Sequence, residues 1–304
     1  MKNQPSIRGV LPVLQTPYRD NGAIDYDILA REIDHVIDAG ADGVVLALGS
    51  ELIRLTHDER LELTLKIPAL VAGRCTVTIS AGANTPEQAV LYAKAAESAG
   101  ADAVMALPPE TEPSAGENLF VYYKMIHDAI GIPLVVQNTS GIFGYSLSID
   151  FLARLRRELG KRIYFKPEAQ PVGLSLTRLR QALGSEAVVF DGNGGLYMID
   201  TYRRGINGLM PGCDLIRGTV AIWRALTGGD FERAYRMYLP LAAIVTLQTQ
   251  SMDMYLSIAK YLLYRQGIFE NYTVREPKNH ELDHWTMEEI DRLYERFTAA
   301  LEEE

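Results

Sequence analysis

One short pattern occurs three times along the chain and constrains the fold more than any other feature. A glycine after a helical stretch is followed by a turn residue and an apolar run, in the ranges 39–45, 99–105 and 205–210. Glycine can end a helix in the left-handed conformation, Asp or Asn opens a tight turn, and so apolar a run is typical of a strand buried on both faces. The three copies predict joints at which a helix leads into a parallel strand.

Five further apolar runs rich in β-branched residues predict strands, at 9–14, 75–81, 133–138, 162–166 and 187–191. Amphipathic segments lie between the strands, and several begin at capping residues: Thr56, Thr85 and Ser148. Strand and helix therefore alternate eight times up to residue 228. Eight such units are what an α/β fold of the (β/α)8 TIM barrel type requires, whereas an open doubly wound sheet usually has fewer strands.

Beyond residue 228 the periodicity is helical only. It predicts helices over 231–243 and 244–266, and a final helix capped by Thr286 with Glu289. We therefore expect a barrel over residues 1–228 and a C-terminal helical extension over residues 229–304, packed on the barrel.

The charge balance excludes some partners. Thirty Lys and Arg residues against 39 Asp and Glu residues give a net charge of −9, which is a poor match for nucleic acid or an anionic membrane surface. The chain shows neither a signal-peptide pattern at its start nor an apolar run long enough to span a bilayer. Cys75 and Cys213 lie in apolar, strand-like surroundings, so we expect reduced thiols and a cytoplasmic location.

Lys166 is the most informative polar residue at a predicted strand end. Period two places it on the same strand face as Tyr164, while Phe165 points the other way. If Phe165 meets the helices, Lys166 faces the barrel interior, where loss of hydration lowers the pKa of an ammonium and makes the amine nucleophilic toward a carbonyl. Two other interpretations are a lysine that reaches solvent and a structural ion pair with Glu168.

Other strand ends carry weaker signals. The turn at Gly49 and Ser50 offers backbone N–H groups and a hydroxyl to a carboxylate, although a plain strand-to-helix turn fits equally well. The Gly-rich stretch 191–195 is weak support for a phosphate site. His280 and His284 have no third ligand nearby, so we expect no metal site.

These pieces together resemble a known family, the Schiff-base-forming lyases of the dihydrodipicolinate synthase and N-acetylneuraminate lyase group. The resemblance covers nearly the whole chain. It is carried, in order, by residues 9–17, Asp42-Gly43, Ser50-Glu51, residues 55–60, residues 99–102, Pro108-Pro109 and Lys166.

The resemblance implies a (β/α)8 barrel with a C-terminal helical extension and Lys166 as the imine-forming lysine. It places the substrate carboxylate at the turn that holds Gly49 and Ser50, and Gly192 and Met210, near the ends of the last two strands, complete the predicted substrate-binding set. It also implies assembly as a homotetramer or dimer of dimers. The tyrosines 122, 123, 255 and 261 fit an interface or the core.

The chain departs from the family at three positions. Most members have Gly-Thr-Thr-Gly-Glu where residues 47–51 read Ala-Leu-Gly-Ser-Glu, so both threonine hydroxyls are missing. Gln137 replaces the usual tyrosine after the fifth strand, and Ile142 falls near the position of the synthase's arginine, which argues against synthase activity. Tyr145 could restore a phenol.

Gln137 affects which reaction the site can catalyse, aldol cleavage or dehydration. Cleavage of the C3–C4 bond of a 2-oxo-4-hydroxy acid requires removal of the hydroxyl proton, and an amide cannot accept it. Elimination of that hydroxyl as water needs only a base at C3 and a proton donor. Residues 136–138 and 165–168 also resemble the L-2-keto-3-deoxyarabonate dehydratase branch of the family.

We therefore predict a lyase that dehydrates a small 2-oxo-3-deoxy sugar acid and, from the arabonate substrate, gives 2-oxoglutarate semialdehyde. In this hypothesis Lys166, Gln137 and Glu168 are catalytic, Asn138 binds the substrate hydroxyls with Gln137, and Tyr164 is a second candidate for proton transfer. No cofactor or metal is required, because the protonated imine accepts the electrons. Alternatives are a pyruvate-dependent aldolase, a 4-hydroxy-tetrahydrodipicolinate synthase, and a ligand-binding barrel without catalysis.

Overall fold

The computed structural model describes residues 7–109, 116–139 and 146–303, and Ile142 and Tyr145 lie outside these ranges. The described residues form eight strands: β1 Gly9–Val10, β2 Gly43–Leu46, β3 Thr76–Ser80, β4 Ala103–Ala106, β5 Leu134–Asn138, β6 Ile163–Pro167, β7 Phe190–Asp191 and β8 Gly208–Leu209. They also form eleven α-helices: α1 Tyr26–Asp38, α2 His57–Val71, α3 Pro86–Ala99, α4 Glu117–Ala129, α5 Ile149–Leu159, α6 Val172–Leu183, α7 Met198–Arg203, α8 Ile216–Thr227, α9 Phe231–Gln248, α10 Met252–Arg265 and α11 His284–Glu302.

The chain folds as two compact units. The first includes His57–Gly192 and Asp200–Leu209, and the second includes Gly9–Thr56, Asn193–Ile199 and Met210–Glu304. None of the described helices combines the length and the apolar character that a membrane span needs.

In the first unit, strands β3 to β6 pair in sequence order, and every pair is parallel. A parallel bridge between Phe165 and Val189 continues the order to the β7 region, and β7 pairs with β8. The carboxyl ends of these strands therefore lie at one edge. Strands β4 and β5 are buried along their whole length, as their apolar sequences predict.

In the second unit, Val13 forms parallel bridges to Val45 and to Gly212. The sequence predicted a strand from 9 to 14, but β1 ends at Val10. Pro12 lacks the N–H that a ladder needs, so only its carbonyl contributes, accepting from Val45 N at 2.8 Å.

The predicted helix-to-strand joints are confirmed. Gly40, Gly100 and Gly205 have φ angles of +91°, +97° and +83°. These angles lie in the left-handed region, where a β-carbon is disfavoured. The glycines thus end the helices where the repeated pattern placed them.

Of the four predicted caps, two are confirmed and one is wrong, while the cap at Thr56, just before α2, stays a prediction. Thr85 accepts a hydrogen bond from Gln88 N, and Ser148 accepts one from Phe151 N. Helix α11 begins before Thr286, because Asp283 has the extended backbone of a cap and its carboxylate accepts from Thr286 N at 2.8 Å.

The predicted boundary between the two preceding helices is also wrong. Helix α9 continues to Gln248, and α10 begins only after Ser251, whose hydroxyl caps it by accepting from Met254 N. Tyr122, Tyr123 and Tyr261 are buried within the chain, so they belong to the core.

The cap at Thr85 provides a test of the local structure. Replacing Thr85 with Ala leaves the Gln88 N–H without its partner and should lower the free energy of unfolding by about 1 kcal/mol. Thr85→Ser retains the hydroxyl and should stay close to wild type in the same urea titration. Equal losses in both variants would contradict the capping role.

Candidate active site

The predicted lysine lies at the end of β6, in the first unit. Register pairs Lys166 with Gln137 on β5, so the two residues are neighbours at the same level of the sheet. The Lys166 side chain is only 6% exposed. An amine held away from water in this way keeps little hydration, which favours its reaction with a ketone.

A carboxylate contacts the amine. Glu168 Oε2 lies 2.7 Å from Lys166 Nζ and also accepts a hydrogen bond of 2.6 Å from Gln137 Nε2. The Glu168 backbone N–H donates to the Asn138 carbonyl at 2.7 Å, which fixes the position of the residue. Lys166, Glu168 and Gln137, the three residues predicted to be catalytic, thus form one buried group.

The Gln137 side chain has one unused hydrogen-bonding atom. Its amide nitrogen donates to Glu168, but its Oε1 is buried and accepts no hydrogen bond within the described part of the chain. A buried acceptor without a partner is costly, so such an atom is suited to a donor that arrives with a ligand.

Gly192 is packed against the same group. A methyl group at this position would overlap Glu168 Oε1 and lie 2.7 Å from Lys166 Nζ. The backbone of residue 192 therefore approaches the amine and the carboxylate as closely as only a glycine allows.

Sequence reasoning missed Asp191 and Thr201. Asp191 is buried, and its two oxygens accept hydrogen bonds from Thr201 Oγ1 at 2.7 Å and from Gly192 N at 2.8 Å. Burial raises the pKa of Asp191 to about 7, against the opposing effect of these hydrogen bonds. The available signal was that Asp191 is an acidic residue at the end of an apolar strand. In the sequence it stands out only as the first residue of the Gly-rich stretch 191–195.

Asn138 has a different environment from the one predicted. Its Oδ1 accepts from Leu147 N at 2.6 Å, and its Nδ2 donates to Leu147 O at 3.0 Å. Both ends of the amide thus hold the chain just before α5. The side chain is a backbone clamp here, but Nδ2 keeps a second proton and Oδ1 a second lone pair, so contact with substrate hydroxyls stays a prediction.

The turn at Gly49 and Ser50 belongs to the second unit, as does the buried Met210. The Ser50 hydroxyl donates to Leu14 O at 2.6 Å and accepts from Ala47 N at 3.1 Å. Because a hydroxyl has one proton to donate, it cannot also donate to a carboxylate unless it releases Leu14. Substrate binding by Gly49, Ser50 and Met210 stays a prediction.

The residue after this turn, Glu51, has a φ angle of +61°. Its buried carboxylate is held by Lys260 and by Arg275 N, the latter at 2.9 Å. Burial lowers the pKa of Lys260 to about 8, and the Glu51 charge opposes this shift. The ion pair holds the left-handed backbone in place.

The described residues contain no group of three or more His, Cys, Asp or Glu side chains arranged to hold a metal ion. The chemistry available at Lys166 is that of an amine beside a carboxylate and an amide. Such a group can form an imine with a ketone and can exchange protons with neighbouring carbon or oxygen atoms.

Comparison with known proteins defines the class. The chain is a class I aldolase-like lyase. It belongs to the dihydrodipicolinate synthetase family, whose model matches residues 6–292.

Two relatives illustrate the range of the family. The chain is 32% identical over 282 residues to L-2-keto-3-deoxyarabonate dehydratase of Azospirillum brasilense, covering 90% of this chain and 89% of that protein. It is 27% identical over 245 residues to 4-hydroxy-tetrahydrodipicolinate synthase of Methanothermobacter thermautotrophicus, covering 79% and 86%.

Solved structures confirm the fold class predicted from the sequence, a (β/α)8 barrel with a C-terminal helical extension. Dihydrodipicolinate synthase from Rhodopseudomonas palustris superposes with a TM-score of 0.88 at 24% identity, covering 97% of this chain and 99% of that one. YagE, an E. coli K12 prophage protein solved in complex with pyruvate, gives 0.88 at 20% identity, covering 96% and 99%.

The close approach of Gly192 predicts a large effect from a small change. Gly192→Ala must displace Glu168 or Lys166, so borohydride trapping of pyruvate on Lys166 should slow about 100-fold. Gly116→Ala is the matched control, because Gly116 has a φ angle of −132° and open space around it. If both variants trap pyruvate at the wild-type rate, Gly192 does not set the geometry of the site.

Proposed function

We propose that this lyase is a dehydratase of a small 2-oxo-3-deoxy sugar acid, with L-2-keto-3-deoxyarabonate as the first candidate. The observation that carries the proposal is the buried group in which Glu168 contacts both the Lys166 amine and the Gln137 amide. The name and 32% identity of the Azospirillum brasilense relative support the same reaction.

The proposed reaction begins when Lys166 attacks the C2 carbonyl and the adduct loses water to form a protonated imine. A base removes a C3 proton, and the electrons move into the imine nitrogen. The resulting enamine expels the C4 hydroxyl, which leaves as water after accepting a proton. Loss of a C5 proton and reprotonation of the chain then convert the C5 alcohol to an aldehyde, and hydrolysis releases 2-oxoglutarate semialdehyde and free Lys166.

We propose Glu168 as the group that accepts the C3 proton. Its carboxylate lies 2.7 Å from the nitrogen that becomes the imine, so it is close to the carbons attached there. Tyr164 is a weaker candidate, because burial raises the pKa of its phenol and disfavours the phenolate.

Gln137 supports dehydration over aldol cleavage. Its Oε1, which has no partner among the described residues, can accept a hydrogen bond from a substrate hydroxyl, but it cannot remove that proton as a phenolate would. The hydroxyl is thereby held in place while the C3–C4 bond stays intact. Asn138 then acts as a positioning residue through its clamp on Leu147.

We also propose that the enzyme acts in the cytoplasm as a homotetramer or dimer of dimers. Support comes from large apolar side chains that are exposed in the single chain, among them Ile53, Leu239 and Trp285. Light scattering coupled to size-exclusion chromatography tests the assembly, and a monomer at micromolar concentration would contradict it.

Lys166→Ala should abolish turnover, with a loss of at least about 1,000-fold, because the covalent intermediate cannot form. Borohydride with pyruvate should leave a mass adduct on Lys166 in the wild-type protein. Lys161→Ala is the control, since Lys161 is close in sequence but 86% exposed. Binding of a 2-oxo acid without any adduct would instead indicate a ligand-binding barrel.

The products distinguish the dehydratase from its alternatives. With L-2-keto-3-deoxyarabonate we expect a semialdehyde that an added aldehyde dehydrogenase oxidises, and little pyruvate. Release of pyruvate, detected with lactate dehydrogenase, would identify an aldolase. Consumption of pyruvate with aspartate semialdehyde would identify a 4-hydroxy-tetrahydrodipicolinate synthase.

Gln137→Tyr should shift the products, because a phenol can take the hydroxyl proton that an amide cannot. We expect pyruvate release from the same substrate to rise about tenfold above wild type. Gln137→Phe controls for the bulk of the ring without its hydroxyl. Equal pyruvate release by the Phe and Tyr variants would show that residue 137 does not select the reaction by proton transfer.

A further inference from the structure

Asp191 is a buried carboxyl group to which the proposed reaction assigns no role. It ends β7, is 2% exposed, and is held from two sides. Thr201 Oγ1 donates to its Oδ2 at 2.7 Å, and Gly192 N donates to its Oδ1 at 2.8 Å. Burying a carboxyl group costs free energy, so Asp191, buried with defined partners at a strand end, is a candidate functional residue.

The bond to Gly192 connects Asp191 to the lysine. The Gly192 backbone lies so close to Lys166 Nζ and Glu168 Oε1 that a methyl group does not fit between them. By holding the Gly192 N–H, the Asp191 carboxylate fixes the backbone against which the amine and the carboxylate pack. Thr201, which lies on α7, in turn holds the Asp191 carboxylate in place.

The charged groups that face Asp191 in the described residues are Glu168 and Lys166, both at the end of β6. Burial, the larger effect, and the charge of Glu168 raise the pKa of Asp191 to about 7, while Thr201, Gly192 and Lys166 oppose the rise. Below pH 7 the group is therefore mostly neutral. Above pH 7 a second negative charge faces Lys166, and this charge stabilises a cation on the nitrogen.

We propose that Asp191 is a positioning residue of the Lys166 site, which holds the Gly192 backbone against the amine and stabilises the protonated imine through its carboxylate charge. This inference rests on the proposed imine chemistry of Lys166. The cation that the Asp191 carboxylate would stabilise is the nitrogen formed when a 2-oxo acid condenses with the lysine.

The test compares Asp191→Asn with wild type by the rate at which borohydride traps pyruvate on Lys166, measured by mass spectrometry across a pH range that spans 7. Asn keeps an acceptor for Gly192 N and a group that can bond to Thr201, but it carries no charge. The matched control is Asp200→Asn, which removes a half-exposed carboxylate paired with Arg204. Thermal melting checks that each variant is folded.

The ratio of the wild-type rate to the Asp191→Asn rate removes the pH dependence that the two proteins share. We expect this ratio to rise from near one below pH 7 to about ten above it, because only the wild-type protein gains a negative charge beside the imine nitrogen in this range. For Asp200→Asn the ratio should stay near one. Thr201→Val removes a hydrogen-bond donor that favours the charged form of Asp191, so the ionisation of Asp191 should move to higher pH. Thr201→Ser keeps the donor and should not move it.

A ratio that does not vary with pH overturns the inference, because a purely structural aspartate would slow the reaction equally at every pH. Should Asp191→Asn not fold, the inference is overturned instead if the pH profile of trapping in Thr201→Val is the same as in wild type. Absence of any Lys166 adduct in the wild-type protein overturns the proposed function and this inference together. An adduct with a flat ratio overturns this inference alone.

Discussion

The contact between the Lys166 amine and the Glu168 carboxylate is the interaction on which the site depends. Burying an isolated ammonium costs on the order of several kcal/mol, so a lysine at a strand end normally extends into water. Here the carboxylate lies 2.7 Å from the amine and is itself held by the Gln137 amide. Gly192 allows the backbone to come close enough to shield the pair.

In the proposed function, residue 137 connects this arrangement to the choice of reaction. It pairs with Lys166 in the sheet register. Its amide nitrogen donates to Glu168, and its Oε1 has no hydrogen-bond donor among the residues that the structure describes. An amide and a phenol at this point differ in the ability to carry a proton. One side chain can therefore separate a dehydratase from an aldolase on the same fold, since both share the imine.

The second unit shows how a turn at a strand end is held in place. The turn at Gly49 and Ser50 suggested a hydroxyl for a carboxylate, and the structure commits that hydroxyl to Leu14 and Ala47. The adjacent Glu51 is fixed by a buried ion pair with Lys260, a residue more than two hundred positions away that no local pattern could connect to it. A residue of the helical C-terminal part of the chain thus helps to hold the turn in its conformation.

Local patterns in the sequence were enough to predict the fold class and to single out Lys166 as the candidate imine-forming lysine. The glycine joints, the apolar runs and the position of Lys166 after Phe165 are local features, and period and turn chemistry act within a few residues. Helix ends are harder to predict from local patterns. The sequence predicts Thr286 as the α11 cap, whereas Asp283 caps the helix in the structure, because several nearby side chains have the chemistry of a cap. The folded chain was needed to show that Asn138 clamps Leu147, that Asp191 is joined to Thr201, and that Gly192 leaves no room for a β-carbon beside the amine. These contacts join residues from different strands and helices, so their geometry follows from the packing of the sheet and not from any local pattern.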